Sequence, residues 1–162
     1  ICFVISLDED DTECMAPAFL AWIQAQPNTR VCVGRSANKI DAMNRDLEGE
    51  RFDLLILASD DFLPTRPDYP ERVVNLMARY FPTGDGLLHL PDGRRRDLIT
   101  LPILGWLYYQ RFGYIYHPDY ASVFCDNEQM EVALSLGCYR YHEENIFKHD
   151  WSGRSERVVE GH

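Results

Sequence analysis

The stretch "FDLLILASDDF", Phe52 to Phe62, constrains this chain more than any other. Seven residues from Phe52 to Ala58 read as a strand, and Leu54 to Ala58 is a continuous apolar run. Strands covered on both faces carry such runs, so the pattern predicts a central strand of a covered sheet. The run stops at two adjacent aspartates, Asp60 and Asp61. Ligands of open α/β sheets gather at the carboxyl ends of strands. Two carboxylates placed there repel each other until a proton or a cation relieves them. A divalent metal bound to a phosphate ligand supplies that relief. The plainer reading is a solvated turn or a helix cap, a common use of acidic pairs.

Around this strand the chain alternates. Ile1 to Leu7 reads as a strand emptying into Asp8-Glu9-Asp10-Asp11, and Ala16 to Gln26 has helical spacing and stops before Pro27. Arg30 to Gly34 is a second strand, and Lys39 to Leu47 a helix with Ile40, Met43, Asn44 and Leu47 on one side. A stiff loop with Pro64, Pro67 and Pro70 follows the aspartates, then a helix from Glu71 to Tyr80. Turns at Gly84-Asp85-Gly86 and Pro91-Asp92-Gly93 flank a short strand, Leu87 to Leu90, and a last helix runs from Glu128 to Leu136 and ends at Gly137. Alternation of this kind predicts a three-layer α/β domain with a mostly parallel sheet. At 162 residues, one domain spanning 1–162 is expected.

A net charge of −10 argues against a nucleic-acid backbone as the main partner, because phosphate chains need a basic face. It leaves room for a small anionic ligand, since a bound metal inverts the local field. Five cysteines without a CxxC pair fit a reducing, cytoplasmic setting better than a disulfide framework or a zinc site. The longest apolar stretch, Leu98 to Tyr116, is broken by Pro102, Gly105, Gln110 and Arg111, so it reads as interior and cleft lining and no transmembrane segment is expected. The chain opens at Ile1 inside an apolar run, which suggests a missing upstream element.

Four groups carry candidate chemistry. Asp8 follows the first strand directly, where a carboxylate can accept hydrogen bonds from a nucleobase or ribose; Glu9 to Asp11 read equally well as a solvated loop. Arg35 and Lys39 lie at a strand-to-helix turn, where positive charge and helix amides favour a phosphate or base, although the P-loop pattern is absent. Asp60 and Asp61 form the third group. The fourth is "FCDNEQMEVALSLG" followed by "ENIFKHDW", in which Asp126 also reads as a helix N-cap and His149 as an ordinary surface histidine. Rings from Trp106 to Tyr116 line either a cleft or the core, and Arg94-Arg95-Arg96 is most simply an exposed loop.

Taken in order, these segments resemble the inverting glycosyltransferases of the GT-A fold, family 2 in particular. "NKIDAMN" resembles the helix after the second nucleotide-binding strand, and "LLILASDDF" the strand ending in a DxD-type metal motif, here Ser59-Asp60-Asp61. "CDNEQMEVALSLGCY" is similar to the family's ED-type motif, with Cys125 in place of the first acidic residue, and "IFKHDW" to the strand that delivers a metal-binding histidine. The resemblance covers nearly the whole chain. It implies a Rossmann-like α/β/α nucleotide-diphospho-sugar transferase fold lacking its first strand, with 1–62 as the nucleotide-binding half and 63–162 as the acceptor-binding half. It further implies a UDP-sugar donor held by Asp8, Arg35, Lys39 and Asp60, and Mn²⁺ or Mg²⁺ held by Asp61 and His149. Asp126 is then the catalytic base, and Trp106 and Tyr109 bind a carbohydrate or other hydroxyl acceptor. A sugar nucleotidyltransferase and a nucleotide-sugar-binding domain without catalysis are the competing readings.

Overall fold

The computed structural model describes residues 1–150 and is mixed α/β, with five helices and eight strands in small sheets among them. Two compact units emerge: Ile1–Arg51 joined by Phe112–Cys125, and Phe52–Arg111 joined by the described residues from Asp126 onward.

In the first unit, β1 (Phe3–Asp8) pairs in parallel with β2 (Thr29–Gly34), with α1 (Pro17–Gln24) between them in the chain. Pro17 sits where a helix begins, since its fixed φ suits the first turn and it has no amide to lose. The α2 helix (Lys39–Arg45) is capped by Asn38, whose side chain accepts from the amides of Ile40 and Asp41. Asn44 faces inward, as its spacing predicts. Its Nδ2 donates to the Tyr116 carbonyl at 2.8 Å, and its Oδ1 accepts from the Ile115 amide at 2.9 Å, fastening that later segment to α2.

The second unit is built on a four-stranded sheet in the order β3 (Leu54–Ile56), β6 (Ile103–Gly105), β5 (Leu87–His89), β7 (Tyr139–Tyr141). Only β5–β7 is parallel in this sheet; β3–β6 and β5–β6 are antiparallel. A mostly parallel central sheet is therefore not what the described residues form. The strand before the aspartates is also shorter than its apolar run, half-buried, and at one end of the sheet order. The place expected for it is taken by β6, which is buried along its length and comes from the run read as cleft lining. A second, two-stranded antiparallel sheet joins β4 (Phe62–Pro64) to β8 (Phe147–His149). β4 occupies part of the stretch expected to be loop, with Pro64 at its end, where a missing amide disturbs the ladder least.

The α3 helix (Tyr69–Tyr80) places Val73, Leu76 and Met77 on the core beside Leu88, Ile103 and Ile146. Each fully buried aliphatic side chain of this kind stabilises by about 1.5–3 kcal/mol. Asp68 precedes α3 without capping it, because Arg66 holds its carboxylate at 2.5 and 2.8 Å. The α4 helix (Trp106–Phe112) starts where the Gly84 carbonyl accepts from the amides of Leu107 and Tyr108. The α5 helix (Cys125–Ser135) ends at Gly137 in a left-handed turn with φ +68°. The Cys138 amide reaches back to Ala133 and the Gly137 amide to Leu134, which together satisfy the last carbonyls.

Candidate functional site

The candidate residues fall into one group in each unit. In the first, parallel pairing sets Asp8 opposite Gly34, so Asp8 and Arg35 leave the same end of neighbouring strands. Both side chains are exposed, as is Lys39 at the start of α2. The amides at that start are bonded within the chain through Asn38, which leaves positive charge, and not free helix amides, as what Lys39 offers a ligand.

Arg45 braces this strand end from beneath, a role its sequence context did not announce. Its Nη1 donates to the Arg35 carbonyl at 3.0 Å and to the Ser36 hydroxyl at 2.8 Å, while Nε donates to Asp46 at 2.8 Å. The guanidinium is held more basic than usual, chiefly by the Asp46 hydrogen bond, with Asp41 and Asp8 adding to it. For Asp46, burial alone would raise the carboxyl. Hydrogen bonds from Arg45 and Ser6 and the charges of Arg45 and Arg30 outweigh it, so the net shift is downward. The acidic loop after Asp8 is partly structural: Asp11 accepts from the Glu13 and Cys14 amides, both at 3.0 Å, and closes a turn.

In the second unit, β4–β8 pairing brings Asp61 and His149 together. Phe62 lies opposite His149 in the register, and the Asp150 amide donates to the Asp61 carbonyl at 2.7 Å. The side chains then meet, with His149 Nε2 2.9 Å from Asp61 Oδ2. Asp61 Oδ1 accepts from the Ser59 hydroxyl, and the Phe62 ring stacks on the imidazole at 4.3 Å. His149 is thus 7% exposed, far from the ordinary surface histidine that was the alternative. Asp60, by contrast, stays exposed at the turn.

On the far side of the ring stands Asp92, 2% exposed and absent from the sequence candidates. Its Oδ1 accepts from the amides of Arg94 and Arg95 at 2.8 and 2.6 Å, and its Oδ2 from the Thr100 hydroxyl at 2.9 Å. His149 Nδ1 lies 3.5 Å from Oδ2, and the His149 amide donates to the Asp92 carbonyl at 2.9 Å. Burial would raise this carboxyl; the hydrogen bonds from the Arg95 and Arg94 amides and from Thr100, with His149 close by, win and hold it below the ordinary aspartate value. The sequence signal was the Asp-Gly pair after a buried strand, which reads only as a turn.

Asp126 lies in the first turn of α5 and not at its cap, because the helix already starts at Cys125. It is half-buried, accepts from the Asn127 amide at 3.0 Å, and its charge reaches Arg95. Trp106 and Tyr109 pack with Phe52: both rings lie 5.1 Å from it and 5.8 Å from each other. Tyr109 is buried in that cluster, while Trp106 keeps a partly open face. Trp151, the last letter of "IFKHDW", lies outside the described residues.

Among the described residues no group of three or more His, Cys, Asp and Glu side chains is arranged to hold a metal. The pair Asp61 and His149 nonetheless suits a hard cation that takes most of its shell from phosphate and water. In the structure the two side chains are joined directly, Nε2 to Oδ2 at 2.9 Å, by a hydrogen bond. Among the described residues no helix is long and apolar enough to cross a membrane. Comparison with protein families, with curated proteins and with solved structures gives no match.

Proposed function

We propose that this chain is a metal-dependent glycosyltransferase of the GT-A type, moving a sugar from a nucleoside-diphosphate donor, UDP in the first instance, to an acceptor hydroxyl with inversion. The observation that carries the reading is the contact between Asp61, at a strand end, and a buried histidine from the end of the described chain. Far apart in sequence, these are the two residues that the resemblance assigns to one cation. The α/β alternation of the first unit, with Asp8 and Arg35 at one strand end, supports the nucleotide half of the reading.

Each unit has its own share of the proposed chemistry. Asp8, Arg35 and Lys39 in the first are assigned to base and ribose, and Asp60 in the second to donor binding. Asp61 and His149 would hold Mn²⁺ or Mg²⁺, which when bound offsets charge on the departing diphosphate. Asp126 takes the proton of the acceptor hydroxyl as that oxygen bonds to the anomeric carbon. The bond from that carbon to the diphosphate breaks on the opposite face, and the nucleoside diphosphate leaves with the electron pair. General-base help of this kind contributes about 10²–10⁴-fold. Trp106, with its partly open ring, is the better acceptor platform; Tyr109 backs it from the core.

A screen of nucleotide sugars with Mn²⁺, read by release of nucleoside diphosphate, tests the assignment. Release of UDP that is lost in Asp61→Asn supports it. Formation of pyrophosphate from a nucleoside triphosphate and a sugar phosphate would move the chain to the nucleotidyltransferases.

A further inference from the structure

The turn after β5 has no part in the scheme above, yet it carries three consecutive arginines, Arg94, Arg95 and Arg96, all exposed. We propose that this turn, with Lys148 beside it, is an anion-binding surface for a saccharide bearing a carboxylate or phosphate, which the transferase reading makes the acceptor. The claim on the acceptor rests on that reading and deepens it; the anion site itself does not depend on it.

Three observations carry it. The turn is fixed from below: buried Asp92 accepts from the Arg94 and Arg95 amides on Oδ1 and from Thr100 on Oδ2. Gly93 takes φ +88°, a left-handed conformation that lets the chain reverse over that carboxylate. The backbone under the arginines is thus set before a ligand arrives, which lowers the ordering cost of binding. A fourth cation comes from another strand. β8 turns Phe147 and His149 inward and Lys148 outward. The Lys148 stem lies over the turn, with Cγ 3.8 Å from where a Cβ on Gly93 would stand. Finally, the donors are oriented. Arg95 Nε and Nη2 donate to Asp97 at 3.1 and 2.8 Å, which fixes the guanidinium plane and leaves both hydrogens of Nη1 and one of Nη2. Arg96 is held on one side, by Nη1 donating to Glu143 at 2.7 Å. Guanidinium edges of this kind match the paired oxygens of a carboxylate or phosphate.

Position favours the acceptor over the donor diphosphate. Arg95 is held more basic than usual by its hydrogen bonds to Asp97 and by the Asp97 charge, and Asp126, from outside this loop, adds to it. An anionic group on Arg95 therefore belongs with the substrate whose hydroxyl Asp126 is assigned to deprotonate. The whole chain carries a net charge of −10, so its long-range field repels anions, and an anion that stays at this turn is held by these local donors.

Binding is read first without donor or turnover. Nitrogen-15 NMR of the backbone amides and arginine Nε–H groups follows titration with methyl β-glucuronide, with glucose 6-phosphate and, as the neutral counterpart, with methyl β-glucoside. Saturable shifts at Arg95 and Lys148 are expected with an anionic sugar and not with the neutral one. Affinity is expected to fall about 10–100-fold in Arg95→Gln and to stay near wild type in Arg79→Gln, which removes the same charge from an exposed position of α3. Equal binding of the neutral sugar, or unchanged affinity in Arg95→Gln, would overturn the proposal. Inorganic phosphate and acetate that bind as tightly as the sugars would show an adventitious ion only, and overturn it too. With the UDP-sugar selected by the release screen, Arg95→Gln should raise KM for the anionic acceptor and leave UDP affinity unchanged; a fall in UDP affinity instead would assign the turn to the diphosphate and overturn the acceptor role. If no donor is turned over, the transferase reading fails by itself. Anionic-sugar binding that is lost in Arg95→Gln then still upholds the site, and its absence overturns it.

Discussion

Gly105→Ala should break the junction from which α4 starts, and the cost can be worked from the structure. A Cβ on Gly105 would stand 2.1 Å from the Gly84 carbonyl oxygen and 2.6 Å from its carbon. Relief to 3.0 Å, the shortest distance real Cβ atoms keep, needs 3.0 − 2.1 = 0.9 Å of backbone movement. That oxygen accepts from Leu107 at 3.1 Å and from Tyr108 at 3.3 Å, and the Gly105 amide donates to Gly86 at 3.0 Å. Displacement of the Gly84 carbonyl by that amount carries the two bonds to its oxygen toward the limit of hydrogen-bonding range. At about 1 kcal/mol net for each, the loss is about 2 kcal/mol. With a urea slope of about 2 kcal/mol/M, the midpoint should fall by about 1 M. Gly137→Ala is the control in the same unit. Its φ of +68° strains a side chain, but nothing lies within 4 Å, so it should cost about 1 kcal/mol. Circular dichroism gives the midpoints, and hydrogen exchange of the Leu107 amide reports the junction itself. A midpoint loss at Gly105 no greater than at Gly137, with Leu107 protection intact, would refute the argument.

Other perturbations probe the chemistry and the fold separately. Asp126→Asn should leave UDP and Mn²⁺ affinity unchanged, because an amide oxygen can still accept from the Asn127 amide, while transfer falls by about 10²–10⁴-fold; full activity removes it as the base. Glu144→Gln should destabilise by about 1 kcal/mol near neutral pH, and this difference should vanish in acid. Arg72 is the main cause of its lowered carboxyl, working against burial, with His142 and Arg66 contributing. A lowered folded value means the stabilisation is complete above the ordinary glutamate value of 4.5 and is lost as pH falls through the folded value. A variant equally destabilised in urea melts at neutral and strongly acidic pH would show that the charge is not responsible.

What the sequence made legible depended on the range of the interactions involved. β1, α1, β2 and α2 announce themselves through local periodicity, and the inward face of α2, Asn44 included, follows from helical spacing. The stop of α5 at Gly137 is equally local. β3 misled, because an apolar run shows that a segment is covered and not which neighbours cover it; β6 lies inside a second apolar run and inserts beside it antiparallel. β4 and β7 are three-residue strands, too short for an alternation to register, and β4 carries Pro64. The same distinction governs the candidate site. Asp61 and His149 could be proposed from motif order, but their contact depends on the Phe62–His149 register, which no local pattern encodes. Asp92 looked like a turn residue because it is one, and its second face becomes visible only once β8 lies beside it.

Calorimetry of UDP with and without Mn²⁺ tests the central claim most directly. A nucleotide-sugar transferase whose cation is held by Asp61 and His149, and completed by the diphosphate, predicts saturable UDP binding that depends on Mn²⁺ and is abolished in Asp61→Asn. UDP affinity that is the same with and without Mn²⁺, or no detectable UDP binding in its presence, would contradict it.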